Sequence, residues 1–202
     1  MMKVGLYGGA FDPVHNGHTA LAKAVVKEFA LDKLIFIPSK NPPHKEPHKA
    51  SAEDRLNMLN LVVRDMGRIF SVSDTELTSV GISYTFNTLY NWRCSNPSDD
   101  IYFICGSDIF SSIESWYRWR ELFDMAKFIV VKRYGVGFDK MFSFIKNNLN
   151  NLINSGRLYL YDYDVIDVSS SFLRNKGIFD SCFVSESVLK YIKDNKLYEG
   201  IK

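Results

Sequence analysis

The sequence predicts an α/β fold in which a parallel sheet carries helices on both faces. Short, almost wholly apolar runs alternate with longer amphipathic ones along the 202 residues. Strands that read as unbroken apolar runs are those buried on both sides. Polar or glycine-bearing turns follow three of these runs, at the carboxyl ends where open α/β sheets bind ligands.

The elements follow in order. "KVGLYG", Lys3–Gly8, is the first strand. A helix follows over His18–Ala30, with Leu21, Val25 and Phe29 recurring on one face and Asn16 expected as its cap. "KLIFIP", Lys33–Pro38, is the second strand. Pro42, Pro43 and Pro47 forbid regular structure over Ser39–Lys49. A helix over Ser51–Met66 opens with Ser51 as cap, and Glu53 and Asp54 suit the positive end of its dipole. After a turn at Gly81 come a helix over Ser83–Cys94 and two strands, Asp100–Gly106 and Lys127–Arg133. A helix over Phe138–Ile153, a strand over Arg157–Asp162 and a helix over Ser185–Asn195 close the chain. The turns at Gly8-Gly9, at Ser39 to Lys45 and at Gly106-Ser107-Asp108 share one cleft if the sheet is doubly wound, as in Rossmann-like folds.

Composition bounds the function. A net charge of +2 is too small for a polybasic surface, so a nucleic-acid polymer is not the expected partner. A few cations in one cleft still suffice for a small anion. No run approaches a membrane span, and the N-terminus does not read as a secretory signal. Cys94, Cys105 and Cys182 are odd in number and widely spaced, unlike a disulfide framework or a zinc site. These features place the chain in the cytosol. Its 15 Phe and 11 Tyr leave room for a homodimer.

The stretch "GLYGGAFDPVHNGH", Gly5 to His18, carries the chemistry. Gly8 and Gly9 follow the first strand and let a phosphate approach the backbone. The next helix offers N–H groups and a partial positive charge. His15 and His18, three apart, lie on one side of that helix start and can donate to phosphate oxygens. The pattern is neither G-x-G-x-x-G nor a P-loop. Further on, Ser169, Ser170 and Ser171 open a short helix whose hydroxyls and N–H groups can hold phosphates, with Arg174 adding a forked cation. Asp108, past the strand that ends at Gly106, suits ribose hydroxyls or a helix cap.

"GGAFDPVHNGH" resembles the H-x-G-H signature of the nucleotidylyltransferase superfamily. "IPSKNPPHK", "ELTSVGISYTFNTL", "ICGSDIFSSIESWYRWREL" and "VSSSFLR" resemble, in order, segments of the bacterial nicotinate-nucleotide adenylyltransferases. The likeness runs from Val4 to the closing helix. It implies one nucleotidylyltransferase domain over residues 1–202, with a small helical part at about 169–202. The implied reaction is attack by the 5′-phosphate of nicotinate mononucleotide on the α-phosphorus of ATP, giving deamido-NAD and pyrophosphate with no covalent intermediate.

The resemblance also implies roles. His18 would contact the α-phosphate in the transition state and His15 would help hold the ATP phosphates. Gly8, Gly9, Ala10, Gly106, Asp108, Arg133, Ser169, Ser170, Ser171 and Arg174 would line the ATP site. Trp116 would stack on the pyridine ring. Tyr84 and Thr85, at a helix start, would give N–H groups to the nicotinate carboxylate. His44 and Lys45 would close over the substrates, and Lys40, where some members carry Asn near the pyridine, would pair with the nicotinate carboxylate or point to solvent. Mg2+ would bridge the phosphates, held by substrate and water rather than by a protein cage.

Ala10 stands where the family usually has Thr, Ser79 where it has Arg, Ile82 where it often has Pro, and Ser171 where it has Thr. Other acceptors, nicotinamide mononucleotide or phosphopantetheine, define sister enzymes, and a silent nucleotide-binding module is the alternative of another class. His15 stands where the phosphopantetheine enzymes typically have Thr.

Overall fold

The computed structural model describes residues 1–40, 47–79, 81–132, 138–163 and 168–199, with the backbone alone for 138–141. In chain order the elements are β1 (Lys3–Gly9), α1 (Asn16–Phe29), β2 (Lys33–Pro38), α2 (Ala52–Met66), β3 (Phe70–Val72), α3 (Thr75–Thr78) and α4 (Thr85–Ser95). Then come β4 (Asp100–Gly106), α5 (Ser107–Phe110), a 3-10 turn at Ile113–Ser115, α6 (Trp119–Met125) and β5 (Lys127–Val131). The last are α7 (Phe138–Asn148), α8 (Asn150–Asn154), β6 (Leu158–Tyr161), α9 (Ser170–Lys176) and α10 (Glu186–Asp194).

Among the described residues the six strands form one sheet in the order β3-β2-β1-β4-β5-β6, and every pairing is parallel. This is the doubly wound order, and its direction reverses between β1 and β4. The apolar strands explain themselves by the period of two. Leu34, Phe36, Tyr102, Ile104, Ile129 and Val131 point into one core. Their neighbours Ile35, Ile37, Ile101, Phe103, Phe128 and Val130 point into the other. A helix layer covers each face: α1, α2 and α10 on the first, α4 and α6 on the second. The described helices include none long and apolar enough to cross a membrane.

The structure differs from expectation in several places. The cap of α1 is His15, and Asn16 is its first residue. The Asn16 side chain instead donates to the carbonyls of Ser181 and Cys182, which hold the chain before α10 against the start of α1. β3 was not legible, being three residues long at a sheet edge. The helix expected over Phe138–Ile153 breaks at Leu149 into α7 and α8. The asparagines there favour local side-chain bonds over a continuous helix, and Asn148 bonds back to the Phe144 carbonyl.

Candidate active site

At the reversal point, the ends of β1 and β4 open into two adjoining cavities of about 320 and 520 Å³. Gly8, Gly9, Ala10, Asp108 and Ile109 line both and form their common wall. Gly9 is required by close approach. A Cβ there would stand 2.8 Å from the Phe11 ring, which packs directly behind the turn.

The larger cavity collects the polar residues. His15, His18, Gly106, Ser169, Ser170, Ser171 and Arg174 all line it. The His15 and His18 rings stack at 3.6 Å between centroids with 24° between planes, and both residues are buried, at 3% and 8% exposure. The edge of Phe11 meets His18 at 4.9 Å. The His15 backbone N–H donates to His18 Nδ1 at 3.2 Å. That nitrogen must therefore be unprotonated, and the neutral ring carries its proton on Nε2. The helix cap thus sets the tautomer of His18. Gly17 makes room for the pair: a Cβ there would lie 3.0 Å from His15 Nδ1 and 3.1 Å from Val168 Cγ1.

The serine segment reaches the same place. Ser169 caps α9 by accepting from the Phe172 N–H, and Ser170 Oγ donates to the Pro13 carbonyl at 2.9 Å. Arg174 Nη1 donates to the Asp12 carbonyl and Nη2 to Ser171 Oγ. The Asp12–Pro13 peptide is cis. Beneath the turn, Arg55 is 1% exposed and donates to the Ala10 carbonyl at 2.8 Å. Burial pulls its guanidinium down from the ordinary range, against the attraction of Asp12 and Tyr198.

The smaller cavity is aromatic and runs over Phe103 and Cys105, with Trp116, Tyr117 and Tyr84 around it. Trp116 is fixed edge-on to Phe103 at 6.4 Å, and its Nε1 donates to Ser112 Oγ at 3.4 Å. Trp119 packs against the core of that face. Tyr84 caps α4, but its own N–H goes to the Ile82 carbonyl at 3.1 Å. Asn87 and Thr88 donate to the Tyr84 carbonyl, so the donors this helix start can offer are the N–H groups of Thr85 and Phe86. Glu76 also lines the cavity, and burial pushes its carboxyl up from the ordinary value, against donors such as Thr88 Oγ1 at 2.6 Å.

The remaining expectations have different outcomes. Lys40 lines neither cavity; its ammonium donates to the Ser79 carbonyl at 3.0 Å, beside the position where the family usually has Arg. His44, Lys45 and Arg133 lie outside the described residues. Asp108 is not a helix cap: Gly106 caps α5, and Asp108 stands on the wall shared by the two cavities. Sequence reasoning missed His48 and Lys49, which line the larger cavity, although the repeated His-Lys of "PPHKEPHK" was the signal.

The sequence profile of the cytidylyltransferase-like family matches residues 6–176. A relative from Neisseria meningitidis serogroup C is 33% identical across 98% of this chain and 100% of its own length. One from Clostridium botulinum strain Kyoto is 36% identical with the same coverage, and both are named as probable nicotinate-nucleotide adenylyltransferases. The chain belongs to the nicotinate-nucleotide adenylyltransferase family. The fold agrees: the Plasmodium falciparum nicotinic acid mononucleotide adenylyltransferase complexed with NaAD superposes with a TM-score of 0.76 at 18% identity, over 98% of each chain. The same enzyme complexed with APC gives 0.73.

Proposed function

We propose that this protein transfers AMP from ATP to nicotinate mononucleotide, giving deamido-NAD and pyrophosphate. Membership of the family supports the reaction. The observation that supports its location is the wall common to a polar cavity and an aromatic one. In this reading the triphosphate lies in the polar cavity, against His15, His18, Ser169–Ser171 and Arg174. The pyridine ring lies on Trp116, with its carboxylate at the start of α4. The attacking phosphate and the α-phosphorus then meet at Gly8–Ala10, where His18 Nε2–H can donate to the oxygen that gains charge. Asp108 receives a ribose.

The chemistry is positioning and charge stabilisation, so no nucleophile is needed. Among the described residues no group of three His, Cys, Asp or Glu could hold a metal. The Asp12 carboxylate is occupied by two backbone N–H groups and the Tyr198 hydroxyl. Such a site fits magnesium that arrives on the triphosphate and keeps water ligands. We read residues 169–202 as a helical part of the same catalytic unit, stitched to it by Ser170 and by the Asn16 N–H on the Phe183 carbonyl. We place the reaction in the cytosol.

The test is pyrophosphate release from ATP and magnesium, comparing nicotinate mononucleotide with nicotinamide mononucleotide. Strong preference for the acid is expected. Release with neither acceptor overturns the reading, and equal use of both removes the role given to the start of α4.

A further inference from the structure

The buried Asp12 carboxylate joins segments far apart in the chain. Oδ2 accepts the Lys49 N–H at 2.8 Å, and Oδ1 accepts the Ala50 N–H at 3.1 Å. Oδ1 also accepts the hydroxyl of Tyr198 at 2.8 Å, from the segment that follows α10. Arg174 Nη1 stands 3.7 Å from Oδ2, tied instead to the Asp12 main-chain carbonyl. The carboxylate thus has three neutral donors, and the Arg174 guanidinium pairs with it only at longer range while lining the larger cavity.

Tyr198 is held to this task. Its ring stacks on Phe179 at 5.3 Å with 20° between planes. Its backbone sits at φ 64°, and that of Lys196 at φ 51°, conformations that side-chain-bearing residues adopt at a cost. The hydroxyl is mostly buried, and burial followed by the Asp12 charge pushes its pKa far above the ordinary phenol range. It therefore donates at every working pH.

We propose that Tyr198 is a positioning residue for ATP: by donating to Asp12 it keeps the Arg174 guanidinium available to the phosphates. The proposal rests on the reading that places the triphosphate in the polar cavity. Without the hydroxyl, a buried carboxylate lacks a donor; of the two arginines that act on it, Arg174 is the one that lines the cavity, and closing its 3.7 Å separation would draw it off the phosphates. Tyr198 itself lines neither cavity.

The experiment uses the full chain with Tyr198→Phe and Tyr198→Ala, alone and with Arg174→Ala. KM for each substrate and kcat are measured, together with direct titration of Mg–ATP in the absence of acceptor. Tyr198→Phe should weaken ATP by about 3- to 10-fold in KM and in the titration, the scale of one partly lost charge-assisted hydrogen bond. The KM for mononucleotide should stay within about twofold. In the Arg174→Ala background the same change should have no further effect on ATP. Packing alone predicts the opposite pattern, with Tyr198→Phe like wild type and only Tyr198→Ala defective, and that result overturns the proposal. So does additivity with Arg174→Ala. If the wild-type protein does not turn over nicotinate mononucleotide, the substrate reading fails, while the Mg–ATP titration still decides the role of Tyr198.

Discussion

Replacing His18 with Ala separates what the residue does for the fold from what it does for the reaction. The substitution removes the acceptor of the His15 N–H at 3.2 Å and the ring stacked at 3.6 Å. A lost cap bond costs about 1 kcal/mol, and the emptied space adds about 1–2 kcal/mol. A domain with about 5–15 kcal/mol of stability remains folded. The loss of the Nε2–H donor is larger for the reaction, because it acts where charge develops. One such donor is worth about 3–4 kcal/mol, so kcat should fall about 100- to 1,000-fold while KM for ATP changes little. His18→Asn sharpens the test. Its side-chain oxygen falls where Nδ1 was and can keep the His15 bond, but it offers nothing at the Nε2 position. Stability should recover and turnover should not. The assay is steady-state pyrophosphate release, with thermal unfolding run in parallel. Turnover within a few-fold of wild type in either variant would refute the assignment of His18 to the transition state and leave it as a cap.

Trp116→Ala should weaken nicotinate mononucleotide by about 5- to 100-fold, the loss of roughly 1–3 kcal/mol of stacking, with ATP affinity little changed; titration that finds the mononucleotide affinity intact counts against the stack. Glu76 should make stability depend on pH. Its carboxyl is raised from 4.5 mainly by burial, so the folded protein holds the proton longer than the unfolded chain. The stability contributed by Glu76 is then fully present below 4.5 and is lost as pH climbs through the raised value. Glu76→Gln should remove that fall, seen as a flatter Tm-against-pH curve, and two parallel curves would exclude it.

The central strands were legible because burial on both faces writes them as continuous apolar runs; β2 and β4 fall within the residues expected of them. The edge strand β3 carries only Phe70 as a buried residue and left no comparable trace. Cap propensity pointed to Asn16, whereas the actual cap works through a reciprocal contact between His15 and His18 that propensity does not encode. The lining of the larger cavity was readable from the H-x-G-H and serine strings, since both are unusual residues at short spacing. Its supports were not. Asp12, Arg55 and Tyr198 meet only after the chain has wound through the whole sheet, and a buried Arg, a lone Asp and a late Tyr each look ordinary in sequence.

The wall shared by the two cavities bears on how the reaction ends. In the proposed arrangement each substrate would be held by one cavity, and the dinucleotide formed between them would be held by both at once. Linked ligands dissociate more slowly than their halves. In that arrangement pyrophosphate would leave from beside Arg174 before the dinucleotide does.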